Sequence, residues 1–300
     1  MDRGDFHGEE TLILESEHLS IEVLADAGPR IVRLRLAGSD ENVLGEVAGV
    51  GWDTPWGHYK LRGGHRLWCA PERPPFSSTP DEGGLKLTET ATGLSLERLE
   101  PETGICKRIA IEPAGDRAAV TVSHTIRNEG AEVIEQAPWA ITIFPLGGTA
   151  ILPQQKGPIG ESDSVPNRSL NFWSYGSITD PRLELHDDFV LVRSERTVSS
   201  PFKIGYLDRS EWAAAYLPGG LLFCKSFDVQ PERRYADLDS NVEAYCDGHV
   251  LELETMGPLA LLEPGDETSH EERWEIHHVG EIELSAERLD ALVVELGLPG

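Results

Sequence analysis

Acid–base chemistry is concentrated between Asn241 and Thr255, where Glu243, Glu252 and Glu254 flank the dipeptide Asp247-Gly248. Asp-Gly between two alternating runs is a strong two-residue hairpin signal, because both central positions of such a turn need positive φ. Counted outward from that turn, Cys246 faces His249, Tyr245 faces Val250, Glu243 faces Glu252 and Asn241 faces Glu254. Side chains alternate along a strand, so Asn241, Glu243, Tyr245, Glu252 and Glu254 share one face. Val242, Ala244, Leu251 and Leu253 form the other, an apolar face fit for a core. Directly opposed carboxylates destabilise a strand pair unless something offsets them. One reading is a solvated outer face screened by Lys or Arg. The other is a ligand-binding face whose carboxylates receive hydroxyls, exchange protons or hold a cation.

Further candidates lie elsewhere in the chain. Trp68, Trp139 and Trp173 are possible platforms for the apolar face of a ring, and equally possible core residues; Trp52 and Trp56 are expected to pack the loop they share with Trp68. Arg62, Arg66 and Lys203 are cations in a chain short of them; each is either a surface charge or a partner for Glu243 and Glu254, or for an acidic sugar or sugar phosphate. His65, Glu72, Glu243, Glu252 and Glu254 are metal-ligand types, yet none has the short spacing of a metal motif, so no metal is assigned. His270, Glu271 and Glu272 read as a solvated charged turn. No nucleophile elbow, phosphate loop or dinucleotide fingerprint occurs, and no cofactor is expected.

The elements that must position these residues are strands. Short alternating runs recur from Leu12–Ser16, Ser20–Leu24 and Arg30–Leu36 through Ala119–Arg127 and Ala137–Phe144 to Glu272–His277, separated by Gly, Pro, Asn and Asp. Only the last segment is helical in pattern: Ser285 caps a run in which Leu289, Leu292, Val293 and Leu296 share a face, and Gly297 with Pro299 ends it. So many antiparallel strands without an internal repeat point to a large all-β antiparallel sandwich, residues 1–300 as one domain, with a short C-terminal helix. Two stretches, Val50–Asp81 and Gln154–Asp180, are read as long structured loops of the kind that carry function.

With 26 basic and 52 acidic residues the formal charge is −26, which repels a phosphate backbone and excludes nucleic acid as a partner. No apolar run is long enough to span a membrane. The segment Met1 to Leu12 is acidic and glycine-containing where an export signal needs a basic start, and Cys69, Cys106, Cys224 and Cys246 lack paired spacing. A cytoplasmic protein with reduced buried thiols is expected; its oligomeric state is left open.

The order of these features resembles the galactose-mutarotase (aldose 1-epimerase) superfamily, and within it the uncharacterised DUF4380 family. The resemblance rests on Leu19–Glu46 (LSIEVLADAGPRIVRLRLAGSDENVLGE), Arg62–Glu72 (RGGHRLWCAPE), Val120–Thr142 (VTVSHTIRNEGAEVIEQAPWAIT) and Glu252–Ile276 (ELETMGPLALLEPGDETSHEERWEI). It implies a sugar ligand and, in its enzymes, a glutamate on a late strand that takes the anomeric proton while a histidine protonates the ring oxygen. Glu254 stands at the position matching that glutamate. The family histidine is missing: near Pro138-Trp139-Ala140-Ile141-Thr142 the chain has Trp139 and Thr142, and no histidine falls between His124 and His186. His65 is the candidate substitute acid, or else a sugar contact. Arg66, Trp68, Trp139, Trp173, Lys203, Asn241, Glu243 and Glu252 are the expected binding residues. Anomer interconversion is thus one expectation, a sugar-binding or sensing protein without turnover a second, and a polysaccharide lyase or glycoside hydrolase a third.

Overall fold

The computed structural model describes residues 1–155 and 166–298; part of the Gln154–Asp180 stretch, and Pro299, lie outside them. Two large antiparallel sheets dominate, one of eleven strands and one of ten. The first contains, as neighbours in this order, Arg30–Leu36, His65–Ala70, Ile134–Phe144, Leu251–Met256, Val242–Cys246 and Phe202–Tyr206. The second places Leu221–Phe227, Glu267–His278, Ala119–Asn128 and Ile105–Pro113 side by side. Alternation explains the outer strands: Leu94–Glu100 buries Leu94, Leu96 and Arg98 at most 7% exposed in a strict period of two.

Between the sheets lies the main core, to which Val242, Ala244, Leu251 and Leu253 contribute as the hairpin pattern requires. Each such fully buried aliphatic side chain stabilises the fold by about 1.5–3 kcal/mol. The C-terminal helix Ala286–Leu296 covers the outer face of the second sheet, seating Leu289 and Leu292 against Ile151, Leu191 and Trp212. Ser285 caps it by accepting from the Arg288 N–H at 3.3 Å, and Gly297 closes it at φ 65°.

Two expectations are corrected here. Of Val50–Asp81 only the end, from Pro71, is a loop: Glu46–Thr54 and Gly57–Gly63 form a ribbon laid over the outer face of the first sheet, and His65–Ala70 is one of that sheet's central strands. The alternation signal failed because all six residues His65–Ala70 are buried, polar ones included. The hairpin register is also displaced by two residues. Glu243 opposes Glu254, and Tyr245 opposes Glu252. Asp247 Oδ1 accepts the N–H groups of His249 (2.7 Å) and Val250 (3.0 Å), which makes a four-residue loop in which neither Asp247 nor Gly248 has positive φ. A shift of two preserves the facing of every side chain.

Candidate functional site

The outer face of the first sheet carries the candidate site. Strand pairing lines up Arg66, Ile141, Glu254 and Glu243 across four neighbouring strands, and beside that row Glu252, Tyr245 and Lys203 across three. At Gly205, next to Glu243 in the first row, a Cβ would lie 2.9 Å from both Glu243 Cγ and Ser240 Oγ, so glycine leaves the space that the glutamate fills.

Lys203 is the hub. Its Nζ lies 2.6 Å from Glu243 Oε2 and 2.8 Å from Glu254 Oε2, and 4.7 and 4.8 Å from the ring centroids of Trp139 and Trp173. Trp139 Nε1 donates to the same Glu254 oxygen at 2.8 Å. Burial opposes charge on Lys203, yet Glu243 and Glu254 hold its pKa well above the ordinary lysine value. Burial drives Glu243 well above the usual carboxylate range, against the pull of Lys203 and with the push of Glu254. Burial thus favours the neutral form of Glu243, while the carboxyls around Lys203 favour its charged form.

Asp237 joins them on a turn that sequence reasoning did not foresee. Asp237, Leu238 and Asp239 have φ of 50°, 60° and 63°, a left-handed path that costs about 1–2 kcal/mol per non-glycine residue. Asn171 Nδ2 holds the turn by donating to the Leu238 carbonyl at 3.0 Å and Ser240 Oγ at 2.9 Å. Burial raises the Asp237 carboxyl, which meets that of Glu243.

Above this floor opens a cavity of about 500 Å³, lined by Lys203, Trp139, Arg66, Trp68 and Glu252 and, toward its mouth, Trp52, Glu72, Tyr175, Asp247 and His249. Arg66 Nη2 donates to Glu252 Oε1 at 3.0 Å, and its guanidinium lies 4.5 Å from the Trp68 ring centroid. Arg66 Nε and Nη1 have no acceptor among the described residues, and Glu254 Oε1 has no donor among them. Burial raises Glu252, with Arg66 pulling it back. Burial also raises Glu72, with Lys203 pulling it back and Glu254 adding to the rise.

The expected site residues divide accordingly. Arg66, Trp68, Trp139, Lys203 and Glu252 line the cavity; Glu243 and Glu254, at 0% exposure, lie behind them; Trp173 brackets Lys203. The face is buried and ion-paired, so the solvated reading fails. Three placements differ from expectation. Trp139, Trp173 and Trp68 spend ring faces on Lys203 and Arg66, and the more exposed aromatic surfaces at the mouth are Trp52 (39%) and Tyr175 (47%). Asn241 shares the outward parity but closes on the backbone of Asp208, accepting its N–H at 2.6 Å and donating to its carbonyl at 2.9 Å. Arg62 anchors the N-terminal region through Glu9 and Asp81, both at 2.7 Å, away from Glu254. Glu72 entered the sequence reading only as a ligand type, and Tyr175 not at all, because nothing in their local spacing links them to the hairpin.

His65 is the main correction. One residue before Arg66 on the same strand, it points to the opposite face, into the layer between the sheets, and does not meet Glu254. There it joins a fully buried network with His124, Thr142, Lys225, Thr255, His270, Glu272 and Trp274. The directions of its hydrogen bonds follow from the groups at its ends. The His270 carbonyl only accepts, so His124 Nδ1 donates to it at 3.0 Å and Nε2 is left to accept from His65 Nε2 at 2.7 Å. His65 Nδ1 then accepts from Thr142 Oγ1 at 2.9 Å, which in turn accepts from Lys225 Nζ at 3.0 Å. Glu272 takes Lys225 Nζ at 2.8 Å, Trp274 Nε1 at 2.7 Å and the Thr255 hydroxyl. Burial depresses all three histidines, His270 to about 3, so they are neutral. His270 and Glu272 are thus interior residues, not the solvated turn expected of them. The nitrogen and oxygen atoms of His65, His124 and Glu272 lie within 4.8 Å of one another, a grouping of metal-ligand types, but Lys225 already supplies its positive charge.

No protein-family model matches the chain, and no curated protein matches it. Solved structures do share its fold. A TPR-domain containing protein from Parabacteroides distasonis superposes with a TM-score of 0.63 at 13% identity over 93% of this chain, which spans 49% of that longer protein. A galactose mutarotase-like protein from Lactobacillus casei gives 0.56 at 9% identity, covering 89% of this chain and 100% of that one. A galactose mutarotase related enzyme from Lactobacillus acidophilus gives 0.55 at 10% identity, covering 91% and 100%. The fold is the mutarotase-like β-sandwich. No described helix is long and apolar enough to cross a membrane.

Proposed function

We propose that this chain binds a carbohydrate in the cavity above Lys203 and serves as a sugar-binding protein. The observation that carries the reading is the pre-paired floor. Lys203 gives two of its three N–H donors to Glu243 and Glu254, leaving one to meet a hydroxyl oxygen inside an aromatic-rimmed space of about 500 Å³. The names of the Lactobacillus proteins, and the motifs that liken the sequence to the DUF4380 branch, support a sugar as the ligand.

A second reading, anomer interconversion with Glu254 as base, is favoured by Glu254 Oε1, which has no partner. His65 opens to the wrong face to act as its acid, and Lys203, held strongly protonated by two carboxyls, gives up a proton reluctantly. Binding without turnover is therefore ranked first. Hydrolysis across a carboxylate pair is ranked last, because one ammonium bridges Glu243 and Glu254 where a glycosidic bond would have to lie.

Polarimetry on freshly dissolved α-glucose and α-galactose, with saturation-transfer NMR on the same samples, separates the readings. Saturable binding with unaccelerated mutarotation is expected. Acceleration that disappears in Glu254→Gln would establish the second reading, and absence of binding across a broad sugar panel would remove both.

A further inference from the structure

We infer that the cavity selects amino sugars, with neutral sugars next and phosphorylated or uronic sugars excluded; the inference rests on the sugar-binding reading. Its basis is the way charge is spent at the surface a ligand would touch. Two cations line the cavity, and both are committed: Arg66 to Glu252 at 3.0 Å, and Lys203 to Glu243 and Glu254 at 2.6 and 2.8 Å. Among the described residues an incoming anion finds no unneutralised positive charge there, since the spare Arg66 N–H groups belong to a guanidinium already balanced by its carboxylate.

Two carboxylates at the mouth are not balanced. Glu72 and Asp247 have no ion-pair partner among the described residues; Asp247 is held by the His249 and Val250 N–H groups and by the Tyr245 hydroxyl at 3.2 Å, which orient it without neutralising it. His249 stands beside them at the mouth. Trp52 and Tyr175 add exposed ring faces, whose quadrupole attracts a cation and not an anion. Carboxylates and open aromatic faces around a hydroxyl-reading floor suit a protonated amine on a pyranose ring.

Isothermal titration of the full chain with glucose, galactose and mannose, their 2-amino-2-deoxy and N-acetyl forms, and their 6-phosphates tests this. At least one amine is expected to bind about tenfold or more tighter than its parent sugar, with an advantage that shrinks in high salt and is lost on N-acetylation. Glu72→Gln should reduce that advantage several-fold. Binding of a 6-phosphate more tightly than its parent, or of amine and parent equally, would overturn the inference and leave sugar binding standing. Absence of heat and of NMR saturation transfer with every sugar would overturn both.

Discussion

Replacing Lys203 by Met keeps the length of the side chain and removes the charge on which the floor is organised. In the variant Glu254 keeps Trp139 Nε1 as its donor, but it loses the ammonium 2.8 Å away, and Glu243 loses its counterion at 2.6 Å. At an effective dielectric near 20 a pair at such distances is worth about 6 kcal/mol before desolvation, and breaking a buried pair by removing one partner costs about 3–5 kcal/mol net. At about 2.1 cal/mol/K per residue, a chain of 300 residues has an unfolding entropy near 0.6 kcal/mol/K, so a loss of about 4 kcal/mol lowers Tm by about 6 °C. The pH dependence has a definite sign. Glu243 is already raised by burial, and removal of the lysine raises it further. A carboxyl raised in the folded state contributes fully below its unfolded value of about 4.3 and loses that contribution as pH rises through the folded value. The deficit should therefore be smaller near pH 4 and larger at about pH 7.5. Urea titrations of wild type, Lys203→Met and Lys203→Met/Glu254→Gln at both pH values read this directly, with the double variant recovering at least half the loss. An equal deficit at the two pH values, or a double variant no better than the single one, would refute the electrostatic account.

The interior network makes its own predictions. His65, His124 and His270 are neutral and depressed by burial, so their stabilisation is complete above the ordinary histidine value of about 6.5 and is lost as pH falls, by up to about 1.4 kcal/mol per pH unit for each; acid unfolding curves should steepen below that value. Lys225→Met strands Glu272 without its counterion and should cost about 3–5 kcal/mol in denaturant titrations, without changing sugar affinity directly through the cavity. Cys69, Cys224 and Cys246 are buried thiols pushed up to about 12, so a thiol-specific dye should leave all three unreacted in the native protein and label them after unfolding.

The strand framework was legible because alternation is a local property. Arg30–Leu36 coincides with its sequence assignment to the residue. His65–Ala70 was misread because burial on both faces erases alternation, and with it went the facing of His65. On the hairpin, parity survived a wrong register, so the shared face of Glu243, Glu252 and Glu254 was readable while their opposition was not. Lys203 was identified as a possible partner by scarcity of cations alone. Its central place depends on its pairing with Tyr245, 42 residues further along the chain, a non-local fact that no short window of sequence contains. The same holds for Asp237, whose left-handed turn is built from residues that rarely adopt that conformation.

The alternation of the central strands places two incompatible sets on neighbouring residues: Arg66 with His65, the apolar Ile141 with Thr142, and Glu254 with Thr255, the first of each outside and the second between the sheets. A slip of one residue in any of these strands would exchange them, sending a guanidinium or carboxylate into the core and an imidazole or hydroxyl into the cavity. Each misaligned sheet would then strand a charge in the core and set a neutral group where the cavity holds an ion pair. The buried histidine network and the charged outer face thereby act together against any one-residue slip of these strands, so that the register that completes the one also completes the other.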